Sequence, residues 1–219
     1  MSTQQAIIHI VDDDASFCTA ISRLLKTSSY EVIIHNSATE LLQRPPPADR
    51  GCILLDMKMP DLTGLQVQNR LSDIGSSLPI VFLTGYGDIG SSVRAIKGGA
   101  EDFLSKPVKK DELLEAIQRA LVRYDEAQER NVRLGALRAL VRTLTPRERE
   151  VFSWVVRGKL NKQIAHDLGT SERTIKAHRH SMMGKLKVRS LAELVLMAER
   201  IGFLAEPKDS KAGTTKPGS

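Results

Sequence analysis

Five short runs of apolar residues, each followed by a segment with helical spacing, constrain the fold of the first 120 residues more than any other feature. These runs are predicted to be the strands Ile7–Val11, Glu31–Ile34, Cys52–Leu55, Pro79–Leu83 and Glu101–Leu104. Most of their residues are apolar, which is typical of parallel strands that are covered on both faces. Strands that alternate with helices in this way predict an α/β domain with a parallel sheet.

The segments between the strands are predicted to be helices because their apolar residues recur every three or four positions. In the first of them, Phe17, Ile21, Leu24 and Leu25 share one face. The predicted helices are Ala15–Lys26, Ala38–Gln43, Gly64–Leu71, Asp88–Lys97 and a long helix from Asp111.

Acidic residues stand at the carboxyl ends of two predicted strands. Asp12, Asp13 and Asp14 follow the first strand, and Asp56 ends the third, where Pro60 prevents the strand from continuing. In open α/β sheets, this edge is where ligand sites lie. If the two strands are neighbours, at least three carboxylates converge, so that either their pKa values rise or a cation is bound. Oxygen ligands without a nearby Cys or His pair favour a hard ion, Mg²⁺ above others.

Two further polar residues fall at strand ends. Thr84 ends the fourth strand, and Lys106 follows the fifth, just before Pro107. The predicted set at this edge is Asp12, Asp13, Asp56, Thr84 and Lys106.

In its order and spacing, this set resembles the receiver domain of two-component response regulators. The resemblance extends to the Asp56–Pro60 turn, to Lys106-Pro107 and to Phe103, and we assign residues 1–122 to it. It implies a flavodoxin-like, five-stranded parallel sheet of strand order 2-1-3-4-5.

The resemblance also implies the chemistry. Asp56 would be the nucleophile that accepts a phosphoryl group from the phosphohistidine of a sensor histidine kinase. Mg²⁺ (or Mn²⁺) would be held by Asp13, Asp56 and the backbone carbonyl of Lys58, with Asp12 acting through water. Lys106 would pair with the phosphoryl group or with Asp56 as a point charge.

A switch is implied as well. The Thr84 hydroxyl would hydrogen-bond the new phosphoryl group, and Phe103 would rotate into the space vacated by the Thr84 loop. An aromatic residue on a buried strand is also an ordinary core residue, so both interpretations of Phe103 stay open. The resemblance further implies a cis peptide bond between Lys106 and Pro107.

The segment Gly85–Gly90 matches the G-x-G-x-x-G pattern of dinucleotide-binding proteins. It follows the fourth strand, however, and no acidic residue ends a strand about 20 residues later, as a ribose contact would need. We therefore interpret these glycines as flexibility for the Thr84 loop.

The charges differ between the two parts of the chain. Of 32 basic and 26 acidic residues, residues 1–120 hold 12 and 15, and the remainder holds 20 and 11. The basic part predicts nucleic acid as its partner. Residues 123–142, rich in Arg, Glu and Ala, are predicted to be an extended helix or helical linker. Its leucines face either a partner or solvent.

Four helices are predicted after this linker. Thr145, Pro146 and Glu148 form a capping box with proline at the first position. Val151, Trp154 and Val155 would then be buried in the first helix, and Leu191, Leu194, Val195 and Ala198 in the fourth, which Ser190 and Glu193 would cap. The middle pair, Asn161–Leu168 and a basic helix from Ser171 to about Leu186, joined at Gly169, has a helix-turn-helix layout.

Residues 143–205 closely resemble the LuxR-type DNA-binding domain in Leu144–Glu150, Asn161–Ala165 and Thr174–His178. The resemblance implies an all-α helix-turn-helix domain on double-stranded DNA, with dimer contacts through the last helix. The residues that would read base edges are Lys176, Ala177 and His180. At position 180, relatives often carry a basic residue that is longer than His. Residues nearer the phosphates would be Lys162, Arg173, Arg179 and Ser181. The tail, residues 206–219, is expected to be disordered.

A receiver followed by a LuxR-type module is the architecture of the NarL/FixJ class, and Ile8–Asp14 and Thr84–Asp88 look most like its FixJ branch. We expect a transcriptional regulator, not an enzyme, that dimerises on phosphorylation and works with RNA polymerase. The alternative is constitutive DNA binding without phosphorylation control. A phosphatase is disfavoured because Asp56-Met57-Lys58 lacks a second Asp to act as acid. Two separated cysteines and the lack of a membrane segment predict a cytoplasmic protein.

Overall fold

The computed structural model describes residues 5–47, 49–85 and 98–204. The chain divides into two compact units, Met1–Glu129 and Arg130–Ser219. The predicted helix Asp88–Lys97, the glycine pattern beyond Gly85 and the predicted disordered tail lie outside the described residues.

The first unit contains the predicted parallel sheet, and its strand order β2-β1-β3-β4-β5 confirms the expected topology. Its strands are β1 (Ile7–Val11), β2 (Glu31–His35), β3 (Gly51–Asp56), β4 (Ile80–Thr84) and β5 (Asp102–Ser105). The strand β4 starts one residue later than predicted because Pro79 has no N–H for the ladder, although its carbonyl accepts a hydrogen bond from Ile53 N at 2.9 Å.

Helices cover both faces of this sheet. They are α1 (Ala15–Thr27), α2 (Ala38–Gln43), α3 (Gly64–Asp73) and the first part of α4 (Lys110–Arg142), a helix whose residues from Arg130 onward belong to the second unit. Successive residues of β3 point to opposite faces, so Cys52 and Leu54 join the core that includes α1, whereas Ile53 and Leu55 join the core that includes α2 and α3. The two cores explain why the strands read as continuous apolar runs.

The start of α3 lies unusually close to the end of β3. A Cβ atom at Gly64 would lie 2.7 Å from the carbonyl oxygen of Asp56 and 2.8 Å from Phe82 Cε1. Gly64 N donates a hydrogen bond to the carbonyl of Met57 at 3.0 Å. Thr63 and Gln66 cap the helix with a capping box. This approach fixes the loop that follows Asp56.

Two histidines form a buried pair on the face of the sheet that α2 covers. His9 Nδ1 lies 3.1 Å from His35 Nε2, and the two rings are stacked with centroids 5.4 Å apart. Burial lowers the pKa of His9 to about 4, with a smaller contribution from His35. Burial also lowers the pKa of His35, although Glu40 opposes this. Burial thus disfavours the charged form of both imidazoles.

The two cysteines, Cys18 and Cys52, are free and buried. Burial raises the pKa of Cys18 to about 11 and that of Cys52 to about 12. Both thiols are therefore core residues in the protonated form.

The second unit is helical, as predicted, with α5 (Pro146–Val156), α6 (Asn161–Asp167), α7 (Glu172–Leu186) and α8 (Leu191–Arg200). The capping box of Thr145 and Glu148 is confirmed, as is the Ser171 cap of α7. Ser190 caps α8, but the Glu193 carboxylate accepts from Arg189 N instead of completing the box.

In this unit one core prediction was confirmed in part and another was wrong. Trp154 packs against the core but is only half-buried, with Lys159 Nζ 3.7 Å from its ring centroid, and Phe152 is fully buried in α5. Leu191 is 46% exposed, whereas Met197 is buried. Because Leu191 is the first residue of α8 and side chains lean towards the helix N-terminus, it points past the core. Within the described ranges, no helix is long and apolar enough to cross a membrane.

Candidate functional site

Two of the predicted acidic residues lie at the same edge of the sheet. The strands β1 and β3 are neighbours with Val11 paired to Leu55, so Asp12 and Asp56 follow at the same level. Both residues are buried, with 1% and 5% of their surfaces exposed. The structure thus brings together two carboxylates that are 44 positions apart in the sequence.

Lys106 binds both carboxylates. Its Nζ lies 2.6 Å from Asp12 Oδ2 and 2.6 Å from Asp56 Oδ1, and 22% of its side chain is exposed. Lys106 N donates to the carbonyl of Thr84 at 2.6 Å, and the bond to Pro107 is cis, as the resemblance implies. We call Asp12, Asp56 and Lys106 the acidic pocket.

The charges of the acidic pocket are unbalanced, because one ammonium group faces two carboxylates. Burial raises the pKa of Asp12, and the negative charge of Asp56 adds to this, although hydrogen bonds from Lys106 and Asp14 N oppose it. Burial tends to lower the pKa of Lys106, but its hydrogen bonds to the two carboxylates outweigh this, and the net shift is upward. The pocket therefore has a permanent cation and surplus negative charge.

The other residues of the acidic run have different surroundings. Asp14 is the N-cap of α1, where its Oδ1 accepts from Ser16 N and Phe17 N. Asp13 is exposed, and so is Lys58, whose backbone N–H donates to Asp56 Oδ2 at 2.7 Å. The sequence led us to expect at least three converging acidic side chains. The structure brings two buried carboxylates together, those of Asp12 and Asp56, whereas Asp14 caps a helix.

The donor chemistry of this edge fits a hard divalent cation. Asp12 and Asp56 offer buried carboxylate oxygens whose repulsion a cation would relieve, and the exposed residues Asp13 and Lys58, which lie one and two positions after them in the sequence, have a carboxylate and a backbone carbonyl as further oxygen donors. In the described part of the chain, however, no three His, Cys, Asp or Glu side chains are already grouped for a metal. Lys106 pairs with both buried carboxylates.

The two predicted switch residues lie on the strands β4 and β5, and Thr84 adjoins the pocket because its carbonyl accepts from Lys106 N. Thr84 is the last residue of β4 and is 3% exposed, and its Oγ1 donates to the carbonyl of Gly85 at 2.9 Å. Phe103, on β5, is partly buried against the core that includes α2 and α3. In the register of the sheet it pairs with Phe82, two residues before Thr84.

The helix-turn-helix of the second unit consists of α6 and α7. Gly169 has φ of 58° in the turn between them, where a side chain would be strained. The inner faces bury Ile164 on α6, and Ile175 and Met182 on α7. The predicted DNA-contacting residues on the exposed surface are Lys162, Arg173, Lys176, Ala177, His180 and Ser181.

Two predicted phosphate-contacting residues already have partners within the protein. Arg179 is half-buried, and its Nη1 donates to Asn161 Oδ1 at 2.6 Å. The Ser181 hydroxyl donates to Glu148 Oε1 at 2.7 Å. The contact of Arg179 ties the start of α6 to the middle of α7.

Glu148 has a larger role than the helix cap predicted from the sequence. Its side chain is 5% exposed and binds Ser181, Lys185 Nζ at 2.7 Å and Thr145 N at 2.8 Å. The bond from Lys185 lowers the pKa of Glu148 to about 2, even though burial opposes this shift. We call Glu148, Ser181 and Lys185 the Glu148 network. The capping pattern revealed Glu148, but no local signal revealed partners 33 and 37 residues away.

Two family models match the chain. The response regulator receiver domain matches residues 8–118, and the luxR family of bacterial regulatory proteins matches residues 142–198.

Curated relatives match over most of their length. The chain is 41% identical over 201 residues to the response regulator protein TmoT of Ectopseudomonas mendocina, covering 92% of this chain and 91% of TmoT. It is 38% identical over 196 residues to the transcriptional regulatory protein FixJ of Rhizobium meliloti (strain 1021), covering 90% of this chain and 96% of FixJ.

Solved structures agree with these matches. The low-resolution structure of the response regulator StyR has a TM-score of 0.72 at 41% identity, covering 90% of this chain and all of that one. Full-length FixJ from B. japonicum has a TM-score of 0.57 at 35% identity, covering 92% of this chain and all of FixJ. The chain therefore belongs to the NarL/FixJ family of response regulators, and it is a two-component transcriptional regulator with a receiver and a LuxR-type DNA-binding domain.

Proposed function

We propose that phosphorylation of Asp56 by a sensor histidine kinase switches the DNA binding of this regulator. The observation that carries the proposal is the position of Lys106 Nζ, 2.6 Å from both Asp12 and Asp56 at the carboxyl edge of the sheet. A carboxylate nucleophile beside a fixed cation is suited to receive a phosphoryl group, because the cation stabilises the charge on the transferring oxygens.

In the proposed transfer, an oxygen of the Asp56 carboxylate attacks the phosphorus of the kinase phosphohistidine. An O–P bond forms, the P–N bond breaks, and the leaving imidazole takes a proton from solvent. Lys106 stays cationic throughout and faces the developing charge. Hydrolysis of the acyl phosphate resets Asp56, so the receiver acts only on its own phosphoryl group and is not an enzyme for a separate substrate.

Mg²⁺, or Mn²⁺ in its place, would be held by Asp13, Asp56 and the backbone carbonyl of Lys58, with Asp12 acting through water. A bound ion would neutralise the negative charge on the phosphoryl oxygens. The protein residues supply the rest: β1 and β3 place the carboxylates, and the Lys58 N–H fixes one oxygen of Asp56 at 2.7 Å. The other Asp56 oxygen is bound by Lys106.

The signal would leave the site through Thr84 and Phe103. The Thr84 hydroxyl now donates to the carbonyl of Gly85, and phosphorylation offers it a stronger, charged acceptor. A turn of this hydroxyl towards the phosphoryl group would move the Thr84 loop and free space for Phe103 on the adjacent strand.

We propose that this movement creates a homodimer through β5, α4 and the predicted helix Asp88–Lys97. Support comes from the ion pairs between α4 and the edge strand β5 with its preceding residue, where Arg119 pairs with Asp102 and Arg123 pairs with Glu101 at 3.5 Å. Exchange of such pairs between two copies would form a polar contact with two-fold symmetry.

In the dimer, two α7 helices would enter successive major grooves, with the base-reading and phosphate contacts assigned from the sequence. Lys176, Ala177 and His180 would read bases, and Arg179 and Ser181 would reach phosphates after their internal bonds rearrange. The proposed division of the chain is residues 1–122 for the receiver, 123–142 for the linker and 143–205 for the DNA-binding domain, with RNA polymerase as a further partner.

The proposal is tested by measuring molar mass and DNA affinity in Mg²⁺, with and without acetyl phosphate, for the wild type and for Asp56→Asn. We expect the wild type alone to shift to a dimer and to bind DNA more tightly. Asp13→Asn serves as a second variant that keeps the nucleophile but removes a proposed metal ligand, and it should raise the Mg²⁺ concentration needed for labelling.

The alternative is a DNA-binding regulator whose receiver does not control it by phosphorylation. Equal DNA affinity in all four samples would favour that alternative and refute the switch. Labelling of Asp56→Asn at the wild-type rate would refute the assignment of the nucleophile.

A further inference from the structure

Phe17 contacts the ammonium group of Lys106. The Nζ atom of Lys106 lies 4.4 Å from the centroid of the Phe17 ring, within the range of a cation–π interaction. An ammonium group has three N–H donors, and two of them are directed at Asp12 and Asp56. The ring therefore covers a side of the ammonium that the carboxylates leave open.

The position of Phe17 is fixed by the start of α1. Asp14 Oδ1 accepts hydrogen bonds from Ser16 N at 2.9 Å and from Phe17 N at 3.0 Å. Phe17 also packs against the apolar core beneath α1, together with Leu24 on the same helix. The acidic run thus has two uses: Asp12 binds Lys106 directly, and Asp14 holds the helical turn that carries the ring facing Lys106.

We infer that Phe17 is a positioning residue for the proposed phosphoryl transfer, because its ring keeps the Lys106 ammonium between Asp12 and Asp56 and shields one side of it from water. This inference rests on the proposed function of Asp56. Lysine has a flexible side chain of four methylene groups, so an ammonium without a third contact would spend time hydrated and away from the carboxylates.

The inference requires an aromatic ring and not merely a bulky residue. Leucine at position 17 would still pack against the core, but it has no negative π face to attract the ammonium. The third N–H of Lys106 would then face an apolar group, and rotation towards water would be favoured. Tyrosine keeps the π face, so Phe17→Tyr should retain the contact that Phe17→Leu removes.

The first test is NMR of the full chain without metal, which reads the contact independently of phosphorylation. The ring current of Phe17 should shift the Cε protons of Lys106 upfield, and the loss of these signals in Lys106→Arg would assign them. We expect the shift to persist in Phe17→Tyr and to vanish in Phe17→Leu. Equal Lys106 shifts in the wild type and Phe17→Leu would overturn the inference.

The second test is the rate of labelling by acetyl phosphate in Mg²⁺. We expect Phe17→Leu to be labelled about 3- to 10-fold more slowly, as the loss of a cation–π contact implies, and Phe17→Tyr to stay within about 2-fold of the wild type. Leu24→Ala is the matched control, because it removes packing from the same helix and core without touching Lys106.

The results separate the two proposals. If the wild type is labelled at Asp56 and Phe17→Leu is labelled equally fast, the role of Phe17 is refuted while the phosphoacceptor assignment stands. If Leu24→Ala slows labelling as much as Phe17→Leu does, the effect is one of packing and the inference also fails. Absence of labelling in the wild type would refute the proposed function, even with the NMR contact present.

Discussion

Two sites in this protein pair buried carboxylates with a lysine. One is the acidic pocket of the receiver, and the other is the Glu148 network of the DNA-binding domain. In the acidic pocket, two carboxylates share the single ammonium of Lys106, and the pKa of Asp12 is raised. In the Glu148 network, one carboxylate accepts hydrogen bonds from Lys185, from Ser181 and from a backbone N–H, and its pKa falls to about 2.

The difference lies in the balance of charge, because every carboxylate oxygen in both sites accepts a hydrogen bond. Glu148 has a full counter-charge in Lys185, which is the arrangement of a group that holds structure together. The acidic pocket has more negative charge than Lys106 can neutralise, which is the arrangement of a group that gains from binding a cation or an electrophilic phosphorus. The same residue types thus have an opposite balance of charge in the two sites, and stability measurements can distinguish the sites.

The largest effect is expected from Glu148→Gln. This change removes the negative charge while keeping the size of the side chain, and it leaves Lys185 without a counter-charge. We expect the free energy of unfolding of the DNA-binding domain to fall by about 3 kcal/mol. Calorimetry measures the loss, and the fluorescence of Trp154, the one tryptophan of the chain, assigns it to this domain. Glu150→Gln, an exposed neighbour paired with Arg147, should change little.

The second prediction concerns Lys106→Met. Without its ammonium group, Asp12 and Asp56 repel each other in a buried site, so the receiver should lose about 2 kcal/mol of stability. Chemical denaturation in a metal-free buffer measures this loss, and added Mg²⁺ should recover part of it. The control is Lys109→Met, because that lysine is 80% exposed and pairs with Glu112 at the surface. An unchanged unfolding midpoint for Lys106→Met would contradict the stabilising role assigned to its two ion pairs.

The third prediction separates the two domains by pH. The pKa of His9 is about 4 in the folded receiver, below its ordinary 6.5, so its neutral form favours folding and stability is lost as pH falls from 6.5 through 4. The pKa of Glu148 is about 2, below 4.5, so its contribution stays intact until pH falls below 4.5 and is lost towards 2.

At pH 5 the receiver should therefore have lost about 1–2 kcal/mol while the DNA-binding domain keeps its stability. Thermal unfolding at pH 7, 5 and 4 measures both transitions. In the His9→Leu variant, the receiver should lose less stability between pH 7 and pH 5 than it does in the wild type. If the unfolding temperature of the DNA-binding domain fell before that of the receiver as the pH is lowered, the predicted difference between the two domains would be contradicted.

The smallest effect on stability is expected from Asp12→Asn in a metal-free buffer, and it should be a gain where the other changes cause a loss. Removal of one surplus charge should stabilise the receiver by up to about 1 kcal/mol, although it removes a proposed contact to the metal. Denaturant unfolding with a chelator present measures this gain. Asp13→Asn at the exposed neighbouring position should be neutral, and destabilisation by Asp12→Asn would mean that its bonds to Lys106 outweigh the repulsion.

Much of the fold was predictable, because the signals are local. Apolar runs that end in Asp12, Asp56 and Thr84 gave the sheet edge, and the capping pattern at Thr145 gave the start of α5. The contacts across long sequence distances were not predictable in this way. Nothing near Phe17 indicates that its ring faces Lys106, and nothing near Ser181 indicates that its hydroxyl faces Glu148. Such contacts depend on side-chain direction after the elements have packed.

The burial of both native thiols has a practical consequence. With pKa values of about 11 and 12, Cys18 and Cys52 will react slowly with maleimides at neutral pH. A cysteine introduced at an exposed position, such as Val132 at 71% exposure, can then carry a fluorophore or spin label while the native cysteines stay in place. Paired labels of this kind on the receiver and the DNA-binding domain would report their separation before and after treatment with a phosphodonor, in the unaltered background of the natural core.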